Sequence, residues 1–310
     1  MLCSLLATLP LLGHVPETYP IDPISLRQFC ESADVIVIGV AGEPEPVASA
    51  DDEGWRDYST VDLTLQDCLR GDLKGETITV SFTTGMICPT PAHFEAGKLY
   101  LVFADEEENG MHSSQGLSYG VKELTPAGAN AYKLAIREWE RLNKLKDRKT
   151  QNAEMVDWLV GMAENQHTRW EGAIELNQNR YLPTEWSKKK WTFRSTDLNA
   201  AQKDRLLTVL ANTKSFDRGS RELFQAFEDD EDVRVTRYML NLMASWKNST
   251  YGDVDILLKA LSRTDSTKGR ALFDRYWKIE RSYYSFEGRD TMRVAVINKI
   301  ARILQAELDK

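Results

Sequence analysis

The sequence predicts an α+β protein with two domains, a small antiparallel β-barrel over residues 24–125 and an all-helical domain over residues 126–310. The chain of 310 residues is longer than a typical single domain. Apolar and polar residues alternate with period two in the first third, whereas apolar residues recur at helical spacing after Pro126. Hydrophobic residues make up 42% and charged residues 28%, a composition that favours packed domains over a disordered chain.

Residues 1–23 precede the barrel and read as a leader segment. The run MLCSLLATLPLLG at residues 1–13 is apolar but too short to span a bilayer. It resembles the apolar region of a signal peptide, although no Lys or Arg precedes it and no small-x-small cleavage site follows it. We therefore expect a truncated signal segment and an exported protein, periplasmic or extracellular, with no membrane span.

A short helix and a buried strand should open the barrel. Ser25 and Gln28 have the spacing of a capping box, which predicts a helix to about Ser32. Residues 34–40 (DVIVIGV) are rich in β-branched side chains and contain a glycine near their end, as expected of a strand that is buried on both faces.

Four further strands follow from alternation. Two of them should form a hairpin around the turn at residues 70–75, and the fourth should run from Leu99 to Phe103. The apolar residues that mark the hairpin strands are Val61, Leu63 and Leu65, then Ile78, Val80 and Phe82, and those that mark the fifth strand are Leu117, Tyr119 and Val121.

Five short strands in about a hundred residues favour a closed barrel of the OB type. Residues 33–39 (ADVIVIG), residues 68–71 (CLRG), and Cys88 followed by the spacing Phe94-x-x-Gly97-x-x-Tyr100 resemble the netrin-like domain. That OB-fold family includes the tissue inhibitors of metalloproteinases and many bacterial exported proteins. The resemblance implies a secreted binding module rather than a catalyst. Because no Cys-x-Cys lies near a credible mature start, it does not extend to protease inhibition.

Helices should make up the rest of the chain. Thr125-Pro126 is a cap followed by proline at the first helical position, and Asn199-x-x-Gln202 is a second capping box. The predicted helices lie near residues 126–142, 153–163, 170–176, 200–211, 235–246, 256–261 and 292–304. Acidic turns that lead into Val and Arg, at residues 229–234 and 290–294, resemble HEAT-type repeats, although no period is sustained. We expect an irregular, HEAT-like helical array.

The four cysteines are Cys3, Cys30, Cys68 and Cys88. None belongs to a CxxC pair, so the usual spacing of zinc sites and thioredoxin-type sites is missing. In an exported protein we expect one disulfide, Cys88 with Cys3 or Cys30. Cys68 is interpreted as a small buried hydrophobic residue.

Charge divides the chain and bears on its partners. Residues 24–125 hold 6 Lys and Arg against 18 Asp and Glu, whereas residues 126–310 hold 33 against 27. An acidic barrel would repel phosphates, so we expect no nucleic-acid partner. One basic and aromatic cluster is expected to be a solvated loop, with contact to an anionic surface, or to the acidic barrel of the same molecule, as the alternatives. Its residues are Trp186, Lys188, Lys189, Lys190, Trp191 and Arg194.

The motifs of common enzymes are missing. None of the four histidines has a histidine partner three or four residues away, which removes the HExxH pattern, and no G-x-S-x-G, Walker or G-x-G-x-x-G motif occurs. We therefore assign no catalytic residue, metal ligand or cofactor, and predict a non-enzymatic protein that binds another protein or a cell-surface component. The alternatives are a carboxylate-dependent extracellular hydrolase and a structural component of a cell-surface assembly.

Overall fold

The computed structural model of the chain describes residues 23–47, 58–84, 90–107, 110–177, 198–213, 217–245 and 289–309, with the single residues 271 and 274. The described residues up to Arg137 form one compact unit, and those from Glu138 onwards form a second. The division falls inside a helix. The first unit holds a β-barrel and the second is helical, so the predicted α+β fold class is confirmed.

The described residues of the first unit form seven strands, and five of these close into a barrel. The ring runs β1, β3, β4, β6, β5 and back to β1. Every pairing in the ring is antiparallel except β4 with β6, which is parallel. Short strands β2 and β7 pair with β3 and β5 from outside the ring. The strands are β1 (Val35–Ala41), β2 (Glu45–Val47), β3 (Tyr58–Arg70), β4 (Thr77–Thr83), β5 (Leu99–Glu106), β6 (His112–Ser114) and β7 (Val121–Leu124).

Alternate side chains of the strands fill the barrel. On β3 and β4 the inward residues are buried and their neighbours face outward, which confirms the predicted hairpin. Strand β1 is buried along almost all its length because a helix covers its outer face, as its β-branched sequence predicts. The interior residues include Val37, Val61, Leu63, Val80, Phe82, Phe94, Tyr100 and Val102.

The helix that covers the barrel is α1 (Leu26–Ser32). Its predicted capping box is present: the Gln28 amide donates to Ser25 Oγ at 3.3 Å, and the Ser25 amide donates to Gln28 Oε1 at 2.9 Å. Phe29 stacks on Phe103 of β5 with ring centroids 4.8 Å apart. The capped first turn therefore holds the helix against the outer face of the β1–β5 pair.

The fifth strand is not where alternation placed it. Leu117 and Tyr119 lie in a 3-10 turn (Leu117–Tyr119), and the ring is closed instead by β6, which precedes that turn. Gly116 and Leu117 have φ values of 59° and 52°, so the chain passes through the left-handed region twice in succession. A Cβ on Gly116 would approach the Phe29 ring to 2.7 Å. The turn is thus fitted around α1 and cannot belong to a strand.

Helices form the second unit. Thr125 Oγ1 accepts a hydrogen bond from the Gly128 amide at 3.1 Å, as expected of a cap before Pro126. The Asn199–Gln202 capping box is also present. The helices are α2 (Pro126–Asn143), α3 (Arg148–Glu164), α4 (Arg169–Leu176), α5 (Ala200–Asn212), α6 (Arg218–Phe227), α7 (Val233–Ser245) and α8 (Arg289–Leu308).

The described helices of the second unit pack on one another, including two that are separated by more than forty residues of sequence, α7 and α8. Helix α4 packs on α3 and on α6, and α7 packs on α5 and on α8. Helix α6 was not predicted, because Arg and Glu interrupt its short apolar pattern. The helix predicted near residues 256–261 lies outside the described residues.

Candidate binding face of the barrel

The outer face of the β3–β4 pair is lined by hydroxyl groups. Each outward residue of β3 has an outward partner on β4, because the two strands pair without a bulge from Tyr58 to Thr64. This surface is called the hydroxyl face below. Its cross-strand pairs are Tyr58 with Thr83, Thr60 with Ser81, Asp62 with Thr79, and Thr64 with Thr77.

Only one charged side chain lies on the hydroxyl face. Asp62 is exposed and accepts a hydrogen bond from Thr79 Oγ1 at 2.6 Å. Ser81 Oγ donates to the carbonyl of His112 on β6 at 3.3 Å. The solvated face of an antiparallel sheet in an acidic domain normally carries several charges. This face instead presents neutral groups that both donate and accept hydrogen bonds.

Exposed apolar side chains flank the hydroxyl face. Tyr58 is 44% exposed and lies directly opposite Val47 of β2, which is 48% exposed. Met111, just before β6, is 38% exposed, in a connection closed by a hydrogen bond from the Glu107 amide to the Met111 carbonyl at 2.9 Å. In the ring order of an OB barrel, β3 and β4 correspond to its second and third strands. Those strands and the loops after the first and fourth strands bind ligands in many OB domains.

The barrel interior is packed with side chains. Phe94, in the connection between β4 and β5, lies 4.9 Å from the Phe82 ring and 4.9 Å from the Tyr100 ring. The Tyr100 hydroxyl accepts a hydrogen bond from the Glu95 amide at 2.9 Å, and burial raises the pKa of this tyrosine. The described interior residues thus fill the space inside the ring, so a ligand would bind to the outer face of the barrel.

Buried carboxylates occur in the helical unit, which bears on the hydrolase alternative. Glu171 and Glu175 of α4 and Glu222 of α6 are all buried. Asn177, at the C-terminus of α4, donates to Glu222 Oε2 at 3.3 Å. Among the described residues, no group of His, Cys, Asp and Glu is arranged to hold a metal ion. The hydrogen bond between Asn177 and Glu222 thus joins α4 to α6.

Tyr238 of α7 completes this polar region of the helical unit. Its ring stacks on Phe224 of α6, and its hydroxyl lies 3.4 Å from Ser220 Oγ. Burial raises the pKa of Tyr238 to about 12. The hydroxyl therefore stays protonated at neutral pH and acts as a structural hydrogen-bond group between α6 and α7.

The residues proposed from sequence are placed as follows. The basic and aromatic cluster lies outside the described residues. So do Cys3 and Cys88, whereas Cys30 is buried in α1, so the disulfide stays a prediction. Cys68 is wrong as a buried residue: it is exposed near the end of β3, with a free thiol that donates to the Arg70 carbonyl at 3.3 Å. It points outward because it continues the outward series of β3.

Comparison with known proteins adds no assignment. No protein-family model matches the chain, and no curated protein is significantly similar to it. None of the helices in the described part of the chain is long and apolar enough to cross a lipid bilayer.

Proposed function

We propose that this chain is an exported, non-enzymatic binding protein whose barrel recognises another protein or a cell-surface component. The observation that carries the proposal is the hydroxyl face, whose polar side chains are neutral except for Asp62 and are exposed or partly exposed to solvent. Binding residues are often held on rigid scaffolds, and a closed and filled barrel is such a scaffold.

The netrin-like identity of the barrel is part of the same proposal. Residues 33–39 include most of β1, and residues 68–71 include the end of β3. The segment from Phe94 to Tyr100 begins at a side chain in the barrel interior and ends in β5. The pieces that resemble the netrin-like domain and that the structure describes therefore fall on barrel elements, whereas Cys88 lies outside the described residues. This supports a module that works by binding, and the apolar run at residues 1–13 supports export.

A HEAT-like helical array is proposed for the second unit. Arg234 begins α7 with the predicted Val-Arg motif and donates to Asp204 Oδ1 of α5 at 2.7 Å. The same guanidinium donates a hydrogen bond to each carboxylate oxygen of Asp232. Arg234 thus connects the turn before α7 to α5, a contact between neighbouring helices that supports a stacked arrangement.

Affinity capture tests the proposal: the full chain is the immobilised bait, and the sample is an extract of the compartment to which the protein is exported. Two lysines, Thr79→Lys and Ser81→Lys, would place charge and bulk on the hydroxyl face. Ala153→Lys, at an exposed position of α3, is the matched control. We expect the wild-type and control proteins to capture the same material and the face variant to lose it. Equal capture by all three would overturn the proposal.

The same preparation separates binding from hydrolysis. A binding protein leaves its captured material unchanged, whereas a hydrolase would release fragments that increase with time. Mass spectrometry under non-reducing conditions also reports the mature N-terminus and the cysteine pairing. A protein that retains its first residues and stays in the cytoplasm would contradict export.

A further inference from the structure

Resting on the binding role proposed above, we infer that the hydroxyl face binds an uncharged polysaccharide chain. The ligand class follows from hydrogen-bonding capacity, charge and the aromatic side chain at one end of the face.

Several hydroxyl groups of the hydroxyl face are available to a ligand. Thr60, Thr64, Thr77 and Thr83 form no side-chain hydrogen bond to any described residue. A hydroxyl donates once and accepts twice, and its hydrogen rotates to suit its partner. Sugar hydroxyls have the same dual character, so each threonine can donate to one and accept from another. A ligand with only acceptors or only donors would use only part of this capacity.

The spacing of the hydroxyls is regular. Outward residues two apart on one strand are about 7 Å apart, and cross-strand partners are about 5 Å apart. Four successive pairs repeat this spacing from Tyr58 with Thr83 to Thr64 with Thr77. A repeating ligand can meet a repeating surface at several sites at once, as a polysaccharide chain does.

Charge argues against the other polymers. Residues 24–125 hold 6 basic and 18 acidic residues, which disfavours nucleic acids and acidic glycans. A cationic ligand would favour the acidic residues 105–107 over the hydroxyl face, whose one carboxylate, Asp62, is already bonded to Thr79. The centre of a protein interface is usually apolar, with aromatic anchors, whereas the centre of this face is polar and consists of three hydroxyl groups and the carboxylate of Asp62. A neutral and hydroxyl-rich chain fits best.

Tyr58 supplies the apolar contact that a sugar ring also needs. One face of a pyranose ring presents C–H groups, which pack on an aromatic ring. Tyr58 is 44% exposed and lies at the end of the hydroxyl ladder, beside Thr83 and Val47. The hydroxyl face can therefore hold a chain by hydrogen bonds along its length and stack one ring on Tyr58.

Affinity electrophoresis of the full chain tests this inference. The gels contain a neutral glucan, a neutral galactomannan, an acidic polygalacturonate or no polysaccharide. We expect at least one neutral gel to retard the protein and the acidic gel to leave it unretarded. Retardation by the acidic polymer alone, or by none of the three, would overturn the inference.

Variants locate the site. Thr64→Val with Thr77→Val removes one cross-strand pair of hydroxyls with little change of shape, and valine suits a strand. We expect binding to be weakened about 10- to 100-fold, since two hydrogen bonds are lost. Tyr58→Ala should weaken it as well. Thr208→Val, at an exposed position of α5, is the matched control and should bind like wild type.

The two levels of the proposal fail differently. If the captured material is a protein, and the lysine face variant loses it while no neutral glycan binds, the polysaccharide inference is overturned and the binding role stands. If the lysine variant captures the same material as wild type, both the binding role of this face and the polysaccharide inference are overturned. Circular dichroism of each variant excludes loss of fold as the cause.

Discussion

Two glycines of the helical unit should respond to alanine with opposite signs. An ideal Cβ on Gly172 of α4 would lie 2.5 Å from the Ala163 amide nitrogen and 2.5 Å from the Leu159 carbonyl oxygen of α3. Both contacts are backbone atoms, which cannot move away by rotating a side chain. Helix α4 would have to shift by about 1 Å, at a cost near the upper end of 1–3 kcal/mol for overpacking. Better helix propensity returns up to about 1 kcal/mol, so we expect a net loss of about 2 kcal/mol.

Gly161 of α3 is the matched control, because a Cβ there meets nothing within 4 Å. Gly161→Ala should stabilise the helical unit by about 0.5 kcal/mol. Hydrogen exchange with mass spectrometry reports the protection of α3 and α4 peptides separately from the barrel, which matters because a chain with two units need not unfold in one step. Equal or greater protection in Gly172→Ala would refute the close α3–α4 packing from which the magnitude was worked.

Three further outcomes are expected. Phe94→Ala should lower the stability of the barrel by about 3–5 kcal/mol, seen as faster exchange in β4 and β5, whereas His93→Ala, with a side chain 76% exposed, should change it little. The hydrogen bonds with Arg234 lower the pKa of Asp232 from 3.8 to about 2. The ionised carboxylate therefore stabilises the folded helical unit above pH 4, and this contribution is lost as the pH falls towards 2. Asp232→Asn should make the free energy of unfolding less dependent on pH in that range. Maleimide should label Cys68 in the native protein, because this side chain is exposed, and should not reach Cys30, which is buried; peptide mapping of the labelled native protein checks this.

Local signals in the sequence were sufficient for most elements. The capping boxes at Ser25 and Asn199 each fixed a helix start, because the interaction lies within four residues. The alternation around Val61 and Ile78 fixed two strands, because one face of each is buried. Such signals need no knowledge of distant parts of the chain.

Elements that depend on distant contacts could not be predicted. Leu117 and Tyr119 alternate as a strand would, yet the turn there is fitted around Phe29 of α1, some ninety residues earlier. The parallel pairing of β4 with β6 joins segments about thirty residues apart and leaves no periodic mark in a three-residue strand. The exposure of Cys68, in contrast, was open to prediction, because this residue continues the outward series of β3 although it lies at an apolar strand end.

The hydroxyl face could not be recognised from the sequence, although each of its residues could be. The threonines of β3 are visible as the polar half of an alternating strand, and those of β4 as the same pattern in a second strand. Whether they form one surface depends on the pairing, since a slip of one residue would place Thr79 opposite an inward residue of β3 and break the ladder. The filled core excludes that slip, because it would bring Thr77 and Thr79 into the interior beside Val61 and Leu63. Core packing thus fixes the register, and the register in turn assembles the hydroxyls into a surface.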